Sequence, residues 1–284
     1  MTLDAWLMEA RQRLRAAGCP DPAIDAAWLL EDGLGLSRIE ARLQRARALT
    51  AAEAERLEAM LARRAAGEPV QYVTGRADFM GYTFYVDSRV LIPRADTENL
   101  VEFAAECLRA RYAEARRPLA VLDVCTGSGA IGLSLAKLCP FARVTLADLS
   151  ADALAVAARN AAALGVDAAL VQGDLFAPVA GHAFDLIACN PPYIPRGDLD
   201  GLQREVRREP RLALDGGTDG LDFYRRIAAE ADALLAPGGS IVLEVGIHQA
   251  DMVRQMLADS PIAPKATGIR KDLQGIDRVV WAQK

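Results

Sequence analysis

The chain has few of the residues on which metal and thiol chemistry depend. It contains only two histidines and five cysteines in 284 residues, and no two cysteines form a C-x-x-C pair. This spacing gives no support to a zinc site, a disulfide framework or a Cys-His nucleophile, and it indicates a reducing compartment. We therefore predict no metal site, and we expect neither His182 nor His248 to be catalytic.

The chain also lacks a basic surplus and a long apolar run. Its 33 lysines and arginines face 38 acidic residues, a net charge of −5, so bulk attraction to a polyanion is not expected and direct nucleic-acid binding is disfavoured. No apolar run approaches a membrane span, and residues 1–14 have an amphipathic helical pattern rather than that of a signal peptide. We expect a cytoplasmic protein.

Hydrophobic residues make up 52% of the chain, enough for packed cores, and their periodicity changes along it. Residues 1–75 carry only helical signals and are predicted to form a small helical bundle. Residues 76–95 contain an aromatic-rich alternation around Gly81 that predicts a β-hairpin linker. Residues 96–284 alternate strands and helices, with a helix at 221–235 and a strand at 240–245 among them. This pattern predicts an α/β domain with a mostly parallel, Rossmann-like sheet.

The predicted loop from Ile194 to Asp219 is unusually long for such a fold, which is typical of a lid or a binding segment. It holds the one basic cluster of the chain, at positions 204, 207, 208 and 211. Because Glu205 and Glu209 alternate with these arginines, the pattern favours a solvated helix or lid over a track for phosphates.

A rigid turn follows the predicted buried strand 184–189. It consists of Asn190, Pro191, Pro192 and Tyr193. The two prolines fix φ and remove backbone donors, so the turn presents carbonyl acceptors, an amide oxygen and a flat ring. These groups fit a planar NH2 group, and we predict that the turn binds the substrate, with Asn190, Pro191 and Tyr193 acting in catalysis.

A glycine-rich turn follows the first strand of the α/β region and is predicted to bind an adenosine-containing cofactor. Gly127, Gly129 and Gly132 match the dinucleotide fingerprint, and Asp148, at the end of the next strand, is placed to bind two ribose hydroxyls. The predicted cofactor-binding residues are Asp123, Cys125, Thr126, Gly127, Ser128, Gly129, Asp148, Asp174, Leu175 and Asn190.

The glycine pattern alone does not distinguish a nicotinamide dinucleotide from S-adenosylmethionine. Two features favour S-adenosylmethionine: Asp123 could face an ammonium group but would repel a pyrophosphate, and the Asn190 turn leaves the sheet beside the first strand. Asp174 could accept from the adenine amino group, with Leu175 and Phe176 as apolar walls. A dehydrogenase and a non-catalytic binding module remain alternatives.

Several motifs spread over essentially the whole chain resemble those of the peptide-chain-release-factor glutamine N(5)-methyltransferases. They are Gly67–Tyr72, Ile92–Glu98, the glycine turn, Asn190–Tyr193, Glu209–Gly217, Lys271–Leu273 and Asp277–Val280. The sequence departs from the family at Cys125, where glycine is more frequent, and at Ala95, where proline is more frequent. Cysteine at the first position also occurs in related ribosomal-protein glutamine methyltransferases.

The resemblance implies a class I S-adenosylmethionine-dependent methyltransferase domain and a helical N-terminal domain that helps to grip a release factor. It implies methylation of the glutamine in a Gly-Gly-Gln loop, with the cofactor ribose on Asp148, the adenine against Leu175 and the substrate amide on Asn190 and Pro191. The alternatives are methylation of a ribosomal-protein glutamine, or of an exocyclic amino group in rRNA or DNA, which presents the same NH2 geometry.

Overall fold

A computed structural model of the protein describes residues 1–284, which form two compact units. The first unit contains Met1–Arg76 together with Gln203–Arg208, and the second contains Ala77–Leu202 and Glu209–Lys284. The chain therefore enters the first unit twice, the second time for only a short segment. No helix has the length and hydrophobicity needed to span a bilayer.

Five helices form the first unit. They are α1 (Leu3–Ala16), α2 (Pro22–Leu34), α3 (Arg38–Leu43), α4 (Ala51–Ala65) and α5 (Val70–Thr74). Ser37 and Thr50 begin α3 and α4 with capping boxes, in which each hydroxyl accepts a backbone N–H and the glutamate three residues on bonds back. Apolar side chains at helical spacing, among them Leu14, Leu29 and Leu57, are fully buried between these helices.

A buried arginine ties the short second segment into the first unit. Arg64 is 3% exposed, and its guanidinium donates to Asp25 at 2.7 Å and to Glu205 at 2.9 Å. A buried guanidinium needs such paired acceptors, because an uncompensated charge in the interior is costly. Glu205 is therefore a half-buried, ion-paired residue of this unit and not part of a solvated helix.

The second unit contains a short hairpin and a seven-stranded sheet with its helices. The hairpin strands are β1 (Arg76–Phe79), whose first residue belongs to the first unit, and β2 (Tyr82–Tyr85). The remaining elements are α6 (Ala95–Ala115), β3 (Leu119–Val124), α7 (Ala130–Leu138), β4 (Ala142–Asp148), α8 (Ala151–Leu164), β5 (Ala168–Gln172), β6 (Phe184–Cys189), α9 (Asp222–Glu230), β7 (Leu235–Glu244), α10 (Ala250–Ala258), β8 (Ala266–Lys271) and β9 (Asp277–Gln283).

The sheet has the order β5-β4-β3-β6-β7-β9-β8. The pairs from β5 to β7 are parallel, and β9 runs antiparallel to both β7 and β8. Residues of α6, α7 and α8 pack in one hydrophobic cluster, and residues of α9 and α10 pack in another. The sheet is therefore covered by helices on both faces, which confirms the predicted α/β architecture with a mostly parallel sheet.

One predicted helix is too long. The alanine-rich pattern predicts a helix over 221–235, but α9 ends at Glu230, a single 3₁₀ turn covers Ala231–Ala233, and β7 begins at Leu235 rather than at residue 240. Phe184 pairs with Leu235, so the beginning of β7 is held against β6 despite the helical composition of this segment. Tertiary pairing overrides local propensity here.

Candidate functional site

The carboxyl ends of β3, β4 and β6 meet at one edge of the sheet, and a cleft opens there. Val124 pairs with Ala147 on one side and with Cys189 on the other, so the glycine turn lies between Asp148 and Asn190. The cleft has a volume of roughly 770 Å³ including its open mouth. This position, beyond the carboxyl ends of parallel strands, is where open α/β sheets bind ligands.

The turn between β3 and α7 has three residues in the left-handed region. Cys125 has φ +57°, Gly127 φ +55° and Gly129 φ +82°. Cys125 is strained in this conformation because it has a Cβ, which gives a physical reason why glycine suits that position. A Cβ on Gly132 would lie 2.4 Å from the Leu146 side chain, so glycine is required there for close packing of α7 on the sheet.

Asp123 does not line the cleft. It is fully buried, and its Oδ2 accepts from the Thr126 hydroxyl at 2.5 Å and from the Gly132 N–H at 2.8 Å, whereas Oδ1 has no hydrogen-bond partner. Burial raises the pKa of this carboxyl to about 7. Asp123 therefore holds the glycine turn from beneath, and its contact with an ammonium group stays a prediction.

Asp148 lies in the cleft as predicted from its place at the end of β4. Its Oδ2 accepts the Gly127 N–H and its Oδ1 accepts the Ser150 N–H, both at 2.9 Å. Burial raises the pKa of this carboxyl, while the backbone hydrogen bonds oppose the shift. Each oxygen keeps a further lone pair, so the carboxylate can still accept two hydroxyl groups of a ligand.

The predicted adenine-binding residues differ in their surroundings. Leu175 lines the cleft, is 4% exposed and has φ +47°, whereas Phe176 is buried beside it without reaching the cleft. Asp174 lines the cleft with a half-exposed side chain, and its Oδ2 accepts from Arg226 at 2.9 Å. Asp174 is thus an ion-paired carboxylate at the rim.

Two residues of the Asn-Pro-Pro-Tyr turn, Asn190 and Pro192, line the cleft. The Asn190 Nδ2 donates to the Thr97 hydroxyl at 3.3 Å, so its NH2 end is turned toward the first turn of α6. Pro191 and Tyr193 do not line the cleft. Tyr193 is half-buried, and burial raises the pKa of its phenol to about 12, so the hydroxyl stays protonated at neutral pH.

The end of the turn is held from behind by residues that the sequence analysis did not select. The Gln249 Nε2 donates to the carbonyl oxygen of Tyr193 at 3.0 Å and to that of Gly220 at 3.3 Å, and its Oε1 accepts the Gly246 N–H. Gly220 has φ +78°, and a Cβ there would lie 2.3 Å from the Tyr193 carbonyl oxygen. The turn is therefore fixed at the end that follows the prolines.

Glu209 corrects a second expectation about the long loop, because it is not solvated. Its side chain is 1% exposed, and its carboxylate accepts from the Ile92 N–H at 3.0 Å and from Arg94. These bonds join the segment after Glu209 to the segment before α6. Both segments line the cleft, with Arg89, Val90, Leu91, Pro210, Leu212 and Ala213. Nothing local in the sequence could reveal this pairing across 117 positions.

The cleft brings together Cys125, Gly127, Asp148, Asp174, Leu175, Asn190 and Pro192 of the predicted site, while Thr126, Ser128 and Gly129 form the turn without lining it. A carboxylate with free lone pairs, apolar walls and a glycine turn fit an adenosine-containing ligand. No group of three His, Cys, Asp or Glu side chains is arranged to hold a metal ion.

Comparison with known proteins gives matches along both units. Residues 5–75 match the family described as "PrmC N-terminal domain", and residues 98–205 match the "Methyltransferase small domain" family. A release factor glutamine methyltransferase of Geobacter sulfurreducens is 44% identical over 95% of this chain and 92% of its own length. One of Moorella thermoacetica is 44% identical over 100% of this chain and 99% of its own length.

Among solved structures, a methyltransferase from Pyrococcus furiosus is similar with a TM-score of 0.51 and 16% identity, over 78% of this chain and 96% of that chain. At this identity the likeness concerns the fold alone.

Proposed function

The chain belongs to the release factor glutamine methyltransferases, and we propose that its cleft transfers a methyl group from S-adenosylmethionine to the side-chain amide nitrogen of the glutamine in a release-factor Gly-Gly-Gln motif. S-adenosylmethionine supplies an electrophilic methyl group when it is bound. The protein substrate is a peptide chain release factor, and the residues of this chain bind and orient both reactants.

The juxtaposition of Asp148 and Asn190 in one cleft carries the proposal. Asp148 follows β4 and Asn190 follows β6, with β3 and its glycine turn between them. A carboxylate for ribose hydroxyls and an acceptor for an amide N–H therefore face the same space. A dehydrogenase would have no use for the second group, which favours methyl transfer to nitrogen.

Placement supplies most of the catalysis on this proposal, because an amide nitrogen is a poor nucleophile. Its lone pair is delocalised into the carbonyl, so removal of a proton by a base would not by itself make it reactive. Aligning two reactants can contribute on the order of 7–11 kcal/mol to lowering the barrier. The rigid prolines of the turn and its anchor on Gln249 serve this alignment.

The two N–H groups of the substrate amide are bound by Asn190 and Pro191. The Asn190 Oδ1 accepts one N–H, and the Pro191 carbonyl accepts the other. Each neutral hydrogen bond contributes only about 1 kcal/mol to ground-state binding. The pair strengthens as positive charge develops on the nitrogen, so the gain appears in the transition state. Pro192 lines the cleft beside Asn190 and completes its apolar border there.

The cofactor lies along the glycine turn with its ribose on Asp148. Leu175 forms the wall for the adenine, and Asp174 accepts from the adenine amino group at the rim. Cys125 and Gly127 contribute backbone to the floor of the cleft, while Asp123, Thr126, Ser128 and Gly129 maintain the shape of the turn.

Incorporation of a labelled methyl group tests the proposal. The protein is incubated with labelled S-adenosylmethionine and, separately, with purified release factors, ribosomal proteins, rRNA and DNA, and labelled proteins are mapped by peptide analysis. Label on the Gly-Gly-Gln glutamine, lost when that glutamine is replaced and when Asn190 is changed to alanine, is the expected result. Label in a ribosomal protein or nucleic acid but in no release factor would refute the proposed substrate.

A further inference from the structure

Besides Asp123, a further buried carboxyl group, that of Glu244, lies behind Asn190. Glu244 is the last residue of β7, and its neighbour Leu243 pairs with Cys189, so Glu244 comes beside Asn190. Its side chain is 2% exposed, and its Oε2 has no hydrogen-bond partner. A buried carboxyl group with an unsatisfied oxygen is costly, which suggests a role other than stability.

The side chains of Thr97 and Asn190 face the carboxyl group of Glu244 and, as donors, oppose the rise in its pKa that burial causes. Thr97 is 4% exposed in the first turn of α6, and its hydroxyl oxygen also accepts from the Asn190 Nδ2 at 3.3 Å. The three side chains thus lie together between β6, β7 and α6, where the hydrogen bond from Asn190 to Thr97 joins two of them.

The chemistry of a carboxylate determines which ends of the Thr97 and Asn190 side chains can face Glu244. An ionised carboxylate has only acceptors, so Thr97 and Asn190 can face it only with their donor ends. The Thr97 hydroxyl directs its hydrogen toward Glu244 and keeps its lone pairs for the Asn190 NH2 group. Asn190 therefore turns its NH2 end inward, and its oxygen is the end left for the cleft.

We propose that Glu244, acting with Thr97, is a positioning residue that holds the Asn190 amide with its oxygen toward the substrate, an inference that rests on the proposed function of the cleft. The reverse orientation would present NH2 to the NH2 of a substrate amide and would repel it. Without an enforced orientation, an asparagine side chain can turn either way.

The protonation of Glu244 supplies a natural test of this arrangement. Burial raises the pKa of Glu244 to about 7, and Arg278 and Asp96 act in opposite directions on it. The other titratable groups that face it are the phenols of Tyr193 and Tyr224, which stay neutral in this range because burial raises their pKa. Below pH 7 the protonated carboxyl group gains a donor, and the enforced orientation is lost.

Selective labelling can observe the orientation without any enzyme turnover. The chain contains only three asparagines, Asn99, Asn160 and Asn190, so a sample with ¹⁵N-asparagine gives three side-chain NH2 pairs. The Asn190 pair, assigned by its loss in Asn190→Ala, is expected to shift between pH 6 and 8 with a midpoint near the Glu244 pKa of about 7. In Glu244→Gln this titration should disappear. An Asn190 signal that ignores pH, or that titrates unchanged in Glu244→Gln, would overturn the proposal.

Kinetics distinguishes positioning from general structural damage. Glu244→Gln should lower kcat for methyl transfer by about tenfold or more, with the cofactor KM within about twofold. In an Asn190→Ala background the same change should cost nothing further, because the group that it positions is absent. An equal loss in both backgrounds contradicts the inference.

Thr97 offers a matched pair of variants if Glu244→Gln fails to fold. Thr97→Ser keeps the hydroxyl and should keep kcat within about threefold, while Thr97→Val removes it at similar volume and should lower kcat by about tenfold. Similar kcat values for the two variants would refute a role of the Thr97 hydroxyl in positioning Asn190. A wild-type protein that methylates no release factor would refute the proposed function, and the nuclear magnetic resonance titration would still decide the orientation of Asn190.

Discussion

Replacing Asp148 by asparagine should weaken cofactor binding much more than it weakens the fold. Both carboxylate oxygens already accept a backbone N–H, from Gly127 and Ser150, each at 2.9 Å. Asparagine has one oxygen, so one of these N–H groups would face an NH2 group and lose its acceptor. The free protein should therefore lose about 1–2 kcal/mol of unfolding free energy.

Cofactor binding should weaken separately, because the ribose hydroxyls lose hydrogen-bond acceptors. A ribose hydroxyl bonded to a charged acceptor contributes about 1.5–3 kcal/mol and one bonded to a neutral acceptor about 1 kcal/mol, and the NH2 end of asparagine offers the other hydroxyl no acceptor. The two losses together amount to about 2–5 kcal/mol, or a rise of roughly 30- to 5,000-fold in Kd for S-adenosylmethionine.

Isothermal titration calorimetry of the Asp148→Asn protein measures this change directly. Adenosine, titrated by competition, should lose affinity by the same factor, because the loss arises at the ribose. Asp174→Asn is the matched control: its carboxylate is half-exposed and ion-paired with Arg226, so we expect a two- to fivefold effect. The reasoning fails if Asp148→Asn binds the cofactor within threefold of wild type, or if adenosine affinity is unchanged.

Three further predictions follow from single contacts. Asn190→Ala should lower kcat by about 100-fold while the cofactor Kd stays within about threefold, as measured by steady-state kinetics and calorimetry; equal losses in both would contradict its role as a substrate acceptor. Burial raises the pKa of the Asp185 carboxyl, but hydrogen bonds from Arg117, the Ala120 N–H and Arg111 outweigh it and leave the pKa below its usual 3.8, so this carboxylate stabilises the fold above about pH 4 and the contribution is lost as pH falls further. Asp185→Asn should hence lower the unfolding free energy by about 2–3 kcal/mol at pH 7 and by much less at pH 3 in urea titrations. Gly220→Ala should lower kcat through displacement of Tyr193, whereas Gly181→Ala, at a similar φ of +81° but with open space around it, should cost stability alone.

Local patterns were sufficient to predict the sheet and the place of the cleft. The apolar run before Asn190 is β6, and the glycine turn follows β3, because strand signals and turn residues act over a few positions. The carboxyl ends of β3 and β6 lie at the same edge of the sheet because these strands are parallel.

Burial of charged side chains could not be predicted in this way. Glu209 resembles a surface residue in an arginine-rich loop, but its partners Ile92 and Arg94 lie more than a hundred positions away. Asp123 precedes a glycine turn in the manner of a ligand-binding residue, but the turn bonds back onto it. In both cases the side chain pairs with groups that only tertiary structure brings near.

The double passage of the chain through the first unit limits how the protein can be divided. A fragment ending at Arg76 would contain all five helices of that unit but not Glu205, so Arg64 would keep Asp25 as its only carboxylate partner. A transfer of the helical region to another protein should therefore carry residues 203–208 with it, so that Arg64 keeps both of its carboxylate partners.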